Sequence, residues 1–204
     1  MSPPATGVCL SVAWQFDRQP PKFASLGLVA GLAVRDALKR LGVAAIMIKW
    51  PNDLVIEDRK LGGVLVEMRA EGNGPALAVV GVGINFRLPE GADREIRETG
   101  GLPATDLAAA CGDTILLDRN TVASAILSAL VPALERFGRE GPSDLVAAWR
   151  DADALVGRQV AVELGQQSVT GRAVGIDTDG SLRVEHEGET MRITAGDVSV
   201  RTEP

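Results

Sequence analysis

Hydrophobic and polar positions follow two different periods along this chain of 204 residues. Gly7–Phe16 sets Val8, Leu10, Val12 and Trp14 on every second position, the period of a strand with one face turned inward. Pro20-Pro21 ends that run. Phe23–Leu41 changes to helical spacing through Leu28, Val29 and Leu32, gathers Arg35, Asp36, Lys39 and Arg40 at its far end, and stops at Gly42. Apolar runs at about 44–50, 54–58, 61–69 and 76–87 predict further strands. Most are too apolar for a sheet with one wet face, so both faces are expected to be covered at least in part.

Leu88–Pro103 is rich in Gly, Pro and charge and reads as a loop. Helical spacing returns near Asp106–Cys111 and over Arg119–Gly138, where Val122, Ile126, Leu130, Leu134 and Phe137 share a face and Asp118 is the expected N-cap. Pro132 lies inside this helix and is expected to kink it. A short helix is predicted at about Ser143–Asp151. Near Leu155 the character changes to short alternating strands: Val160/Val162/Leu164, Val169–Ile176, Leu182/Val184, Met191/Ile193 and Val198/Val200, with turns at Asp179-Gly180 and Glu187-Gly188. The chain therefore divides into an α+β domain over 1–153, built as a mixed sheet with packed helices, and a small antiparallel β-barrel over 155–204.

Composition narrows the function classes. A hydrophobic fraction of 46% supports a real core, and a net charge of −6 argues against a free-standing nucleic-acid binder, which needs a basic face. The longest purely apolar runs, Leu26–Val34 and Ala76–Ile84, are too short to span a bilayer, and no basic, then apolar leader is visible. No nucleic acid and no membrane partner are expected. Cys9 and Cys111 form no CxxC pattern, so a cytoplasmic location is the simplest expectation. His186 is the only histidine, which excludes a His-rich metal site and leaves a surface residue beside a hairpin turn.

The chemistry concentrates in one segment. Only four of the 21 basic residues are lysines, and two of them flank Trp50-Pro51-Asn52-Asp53-Leu54: Lys49 before it and Lys60 after it, in Arg59-Lys60-Leu61-Gly62-Gly63-Val64-Leu65-Val66-Glu67. The Pro-Asn-Asp turn separates the extended runs Ala45–Ile48 and Leu54–Ile56. Gly62 and Gly63 carry no side chains, so a flat ligand can approach their backbone closely. Gly81-Val82-Gly83-Ile84-Asn85 lacks the third glycine of a dinucleotide fingerprint, so by itself it marks a strand or a bulge.

Taken in order and at this spacing, K-W-P-N-D-L, R-K-L-G-G-V-L-V-E and G-V-G-I-N resemble the signature of the biotin–protein ligases. The resemblance runs from about Ser2 to about Arg201. It implies a class II synthetase-like catalytic domain followed by an SH3-like barrel. It also implies use of ATP and Mg²⁺ to convert biotin into biotinyl-5′-adenylate, then transfer of biotin to a lysine of a biotin carboxyl carrier protein or domain. Lys60 matches the lysine that contacts the carboxylate and adenylate oxygens, and Asp53 the acidic residue that assists the incoming amine; these two are the expected catalytic residues. Lys49, Trp50, Asn52, Gly62, Gly63, Gly81, Gly83 and Asn85 are the expected substrate- and nucleotide-binding residues, with Asn52 and Asp53 the expected Mg²⁺ ligands. The family's glycines wall the biotin pocket with bare backbone.

One departure bears on activity. The family's G-R-G-R-x-G-R loop and its Ser-Thr-Asn segment lie upstream of the strand that begins here near Gly7, and nothing in this sequence matches them; Gly138-Arg139, Gly157-Arg158 and Gly171-Arg172 are isolated pairs. The helix-turn-helix of the repressor members is absent too. The chain alone is therefore expected to be weakly active or inactive. The alternative is a non-catalytic nucleotide-binding or oligomerising remnant, or a half-enzyme completed by another chain; a lipoate ligase fits K-W-P-N-D less well. A homodimer is compatible with either reading.

Overall fold

The computed structural model describes residues 6–70, 72, 74–98, 102–112, 118–164, 167–194 and 198–202. The elements run β1 (Gly7–Phe16), a 3₁₀ turn (Phe23–Ser25), α1 (Leu26–Arg40), β2 (Met47–Lys49), β3 (Asp53–Ile56), β4 (Arg59–Ala70), β5 (Ala76–Asn85), α2 (Ala92–Glu98), α3 (Leu107–Cys111), α4 (Arg119–Glu140), α5 (Leu145–Arg150), β6 (Gln159–Leu164), β7 (Gln167–Ile176), β8 (Leu182–His186), β9 (Glu189–Ile193) and β10 (Val198–Thr202). The first five strands form one sheet in the order β1-β5-β4-β3-β2. Every pairing in it is antiparallel, where a mixed sheet was expected; parallel contact is confined to the isolated bridges Ile48–Asp153 and Lys60–Ala104. Short connections join β2 to β3, β3 to β4 and β4 to β5, and such links can only reverse the chain.

One face of this sheet is buried under α1 and α4. Phe16 meets Phe23 and Phe137 edge to face, at centroid distances of 5.7 and 6.2 Å. The α4 stripe of Val122, Ile126, Leu130, Leu134 and Phe137 is buried throughout. Each such side chain contributes about 1.5–3 kcal/mol by leaving water. That packing accounts for a helix whose length and apolarity alone would suit a bilayer. The helix continues through Pro132 to Glu140, and Asp118 caps it by accepting from the N–H groups of Asn120 and Thr121. Among the described residues the opposite face is covered only in part: Ile96 of α2 and Leu102 stand at the cleft on it, while Cys9, Ser11 and Leu65 are exposed. The segment after β5 lies along its edge. Expected as a loop, Leu88–Pro103 holds α2, and the Asp93 carboxylate accepts from the Ala104 N–H at 2.6 Å while pairing with Arg59 at 3.3 Å.

The last five strands form a second antiparallel sheet, β10-β6-β7-β8-β9, around Val160, Val162, Ala173, Ile176, Leu182, Val184 and Ile193; no helix interrupts it among the described residues. The join to the first unit is made by backbone hydrogen bonds. Ile48 donates to the Ala152 carbonyl at 2.6 Å and accepts from the Ala154 N–H at 2.9 Å. Arg35, the one buried charge of α1, donates to the carbonyls of Ile46 and Asp151.

Asp153 sits at this join, 4% exposed. Burial pushes its carboxyl above the ordinary carboxylate range; the Leu155 N–H, 2.8 Å from Oδ1, the neighbouring Trp149 indole and the Val156 N–H offset only part of that. A carboxyl raised in the folded state stabilises fully below its unfolded pKa, and that contribution is lost as pH rises through the folded value. Asp153→Asn keeps an acceptor for Leu155 and cannot ionise. Its stability relative to the parent is expected to grow as pH rises from about 4. Urea titrations between pH 4 and 8 measure this, and parallel curves for the two proteins would contradict it.

Candidate active site

Register places the chemistry in a single row. Lys49 pairs with Asp53, Asp53 with Gly63, Gly63 with Gly83, and Gly83 with Cys9, so one residue from each of the five strands stands side by side on the open face. The middle of that row is bare backbone. A Cβ built on Gly83 meets nothing within 4 Å, and one on Gly63 would press on the Asn52 carbonyl and the Asp53 carboxylate at 3.2 and 3.4 Å. The result is a cleft of about 920 Å³ whose lining includes Asn52, Asp53, Lys60, Gly81, Gly83 and Asn85.

Lys60 reaches this face because β4 carries a bulge. Leu54 pairs with Gly62 but Val55 pairs with Lys60, which leaves Leu61 as an extra residue. Lys60 and Gly63 are three positions apart and would point to opposite faces in a regular strand. The bulge buries both Leu61 and Gly62 and returns Lys60 to the side of Asp53. The bulge adjoins Gly62-Gly63; β5 pairs without a register shift on either side, so Gly81 and Gly83 mark no bulge.

The Lys60 ammonium and the Asp53 carboxylate form an ion pair at 2.5 Å, with side chains 43% and 19% exposed. The backbone around Lys60 is fixed by the segment after α2 and by Asn85 at the end of β5. Its N–H donates to the Pro103 carbonyl at 2.6 Å, and its carbonyl accepts from Thr105 N–H at 3.0 Å and from Asn85 Nδ2 at 3.2 Å. Asn85 also donates to the Thr105 carbonyl at 3.0 Å, so the group it can offer a ligand is its Oδ1. The Asn52 carbonyl holds the Val64 N–H at 2.9 Å, which ties the turn to β4.

Three expected residues have other surroundings. Lys49 shares the row but not the cleft; it lies in a small recess with Val55, Asp58 and Leu155. Burial pushes its ammonium below the usual lysine value and Lys60 adds to that, against Asp53 and Asp58. Trp50 is a correction. It is 1% exposed and its indole N–H donates to the Gly180 carbonyl at 2.9 Å, so it faces the interior and the second sheet, not the cleft. Gly62 borders the cleft but is spoken for by packing, since a Cβ there would fall 2.2 Å from the Gly83 carbonyl oxygen. Conversely, Cys9, Ser11, Leu65, Ile96 and Leu102 line the cleft without having been singled out. The alternation of β1 carried the signal for the first two: with Val8, Leu10 and Val12 inward, Cys9 and Ser11 must face out.

For a ligand, this arrangement offers a flat floor of backbone, with one exchangeable cation and one carboxylate at its edge. Among the described residues no group of three His, Cys, Asp or Glu side chains could hold a metal. Asn52 and Asp53 offer adjacent oxygen donors, which suits Mg²⁺ when phosphates and water complete its shell.

Known proteins resemble this chain over nearly its whole length. Residues 1–85 match the Biotin/lipoate A/B protein ligase family, and residues 155–201 match the Biotin protein ligase C terminal domain. The chain is 32% identical over 201 residues to the bifunctional ligase/repressor BirA of Salmonella typhimurium, covering 98% of this chain and 61% of that protein. It therefore spans about three fifths of the first curated relatives it matches. It is 30% identical over 181 residues to the biotin–[acetyl-CoA-carboxylase] ligase of Paracoccus denitrificans, covering 86% of this chain and 72% of that one. The biotin protein ligase of Aquifex aeolicus, solved in complex with biotin and ATP, superposes with a TM-score of 0.78 at 27% identity, over 97% of this chain and 79% of its own. On these matches, which cover both sheets and the cleft between their motifs, the chain belongs to the biotin–protein ligase family.

Proposed function

We propose that the cleft binds biotin and ATP, and that the chain's chemistry is formation of biotinyl-5′-adenylate followed by transfer of biotin to a lysine of a carboxylase carrier domain. The observation that carries this reading is the bare Gly63–Gly83 floor with the Lys60–Asp53 pair at its edge. The names of the Paracoccus and Aquifex proteins, and the latter's complex with biotin and ATP, support it.

In the first step a biotin carboxylate oxygen attacks the α-phosphorus of ATP and pyrophosphate leaves. Lys60 is placed to exchange its contact with Asp53 for one with the carboxylate and phosphate oxygens, where negative charge gathers. In the second step a carrier lysine attacks the acyl carbon and AMP leaves. The amine must be neutral to attack, and the Asp53 carboxylate, released from Lys60, can accept its proton. Asn52 and Asp53 would hold Mg²⁺, which neutralises phosphate charge when bound. The Asn85 Oδ1 orients the nucleotide from the far wall.

The test is incubation of the chain with biotin, ATP, Mg²⁺ and a biotin carboxyl carrier domain, with adenylate and biotinylated carrier measured separately. Accumulation of adenylate and label on a carrier lysine, however slow, supports the reading. Binding of ATP without either product would favour the non-catalytic nucleotide-binding module instead.

A further inference from the structure

Three contacts made by the linker and the second sheet converge on the hairpin that carries the site. The outer edge of β2 is closed by the exchange between Ile48 and residues 152–154. At the entrance to β3, the Trp50 indole N–H donates to the Gly180 carbonyl, at the tip of the β7–β8 turn. At the other end, Arg158 grips Asp58 through two bonds of 2.5 and 3.0 Å. Asp58 belongs to the two-residue β3–β4 turn, where Glu57 and Asp58 both have positive φ. The β3–β4 hairpin is thus held at its entrance and at its turn by groups outside the first sheet.

The Gly180 contact is built for this task. Gly180 has φ +88, and a Cβ there would approach Leu28 Cδ1 to 2.8 Å and Ser25 Cβ to 3.2 Å, so the turn tip is seated directly on the start of α1. Asp179 fixes the tip, accepting from the Ser181 N–H and hydroxyl and from Arg192. Trp50 is therefore bonded to a rigid partner. Its own backbone is three residues from Asp53, and the Asn52 carbonyl between them holds Val64. A shift of the indole passes along the backbone through Pro51-Asn52 to the Asp53 carboxylate and the Lys60 ammonium paired with it.

We infer that Trp50 is a positioning residue, through which the C-terminal sheet sets the Asp53–Lys60 pair at the angle the reaction needs. This rests on the proposed ligase reading for its catalytic readout, but the mechanical part does not. Arg158 plays the same part more weakly, because its pair with Asp58 is largely exposed.

The experiment uses Trp50→Phe, which removes the indole N–H and keeps an aromatic ring, and Arg158→Gln, a surface change that leaves the core intact. Hydrogen exchange is followed across the sheet, with adenylation kinetics alongside. In Trp50→Phe, exchange is expected to rise at amides of residues 52–64 while amides of β1 and of β5 stay within a factor of two, and kcat to fall about tenfold with KM for biotin nearly unchanged, a shift of ~1.4 kcal/mol in the barrier. Arg158→Gln is expected to raise exchange at 57–60 and lower kcat about two- to threefold. A purely structural role for Trp50 predicts a uniform rise in exchange over the whole sheet and a loss of active protein with kcat per folded molecule unchanged; that result, or unchanged exchange at 52–64 in both variants, overturns the proposal. If the parent makes no adenylate, the ligase reading fails and the exchange arm still decides the mechanical one.

Discussion

Lys60→Ala is expected to lower adenylate formation by on the order of 10²–10³-fold relative to the parent, the loss typical of removing one donor aimed at developing charge. Its effect on stability should be small by comparison. The Lys60–Asp53 pair is partly exposed, and such pairs contribute at most ~1 kcal/mol to folding. The Lys60 backbone keeps its place, because its bonds to Pro103, Thr105 and Asn85 are made by main-chain atoms of residue 60. Quenched-flow measurement of adenylate beside a urea titration separates the two effects. A variant within threefold of the parent rate would remove Lys60 from the chemistry and leave the pair as a surface salt bridge.

The second large effect sets two glycines against each other. Gly62 and Gly83 stand one step apart in the β4–β5 pairing, in motifs that look alike in sequence, yet their surroundings are opposite. Gly62→Ala drives a Cβ to 2.2 Å from the Gly83 carbonyl oxygen, and neither atom belongs to a side chain that could rotate away. The strands must part, at a cost of roughly 3 kcal/mol or more, the upper end of overpacking. For a chain of this length that lowers Tm by about 6–12 °C. Gly83→Val meets open space and gains strand propensity, so its Tm should stay within about 2 °C of the parent. Its side chain occupies the floor of the cleft, and biotin affinity should fall at least ~100-fold, about 2.7 kcal/mol. Calorimetry on both variants is the check. Tight biotin binding by Gly83→Val would move the ligand off this floor, and a Gly62→Ala protein as stable as the parent would refute the packing argument.

Much of this site was readable before the fold was known, because turn chemistry and scarce lysines are local signals. Asn52, Asp53, Lys60, Gly63, Gly83 and Asn85 all stand on the cleft. What was not readable is what depends on pairing. The bulge at Leu61 is a property of two strands at once, and without it Lys60 counts onto the wrong face. The direction of Trp50 could not be inferred from a neighbouring proline, and its partner lies 130 residues away. Helix α2 was hidden in a stretch that reads as a loop because Pro89, Gly91 and the glycines after it dominate the composition; its Arg94–Glu98 pair, one turn apart, was the only helical cue. The apolar strands suggested at least partial cover on both sides, and on the open face β5 presents the small residues Gly81 and Gly83, which leave room for the cleft.

The Asp179-Gly180 turn, seated on α1 and bonded to Trp50, changes what counts as a unit in this molecule. The buried interior runs without a break from Phe16 and Leu38 through Trp50 and Trp149 to Val160, Leu182 and Ile193. Neither sheet can lose its structure without uncovering apolar surface and polar backbone that the other was satisfying. The two parts that the sequence divides near Leu155 are therefore expected to melt in a single cooperative transition.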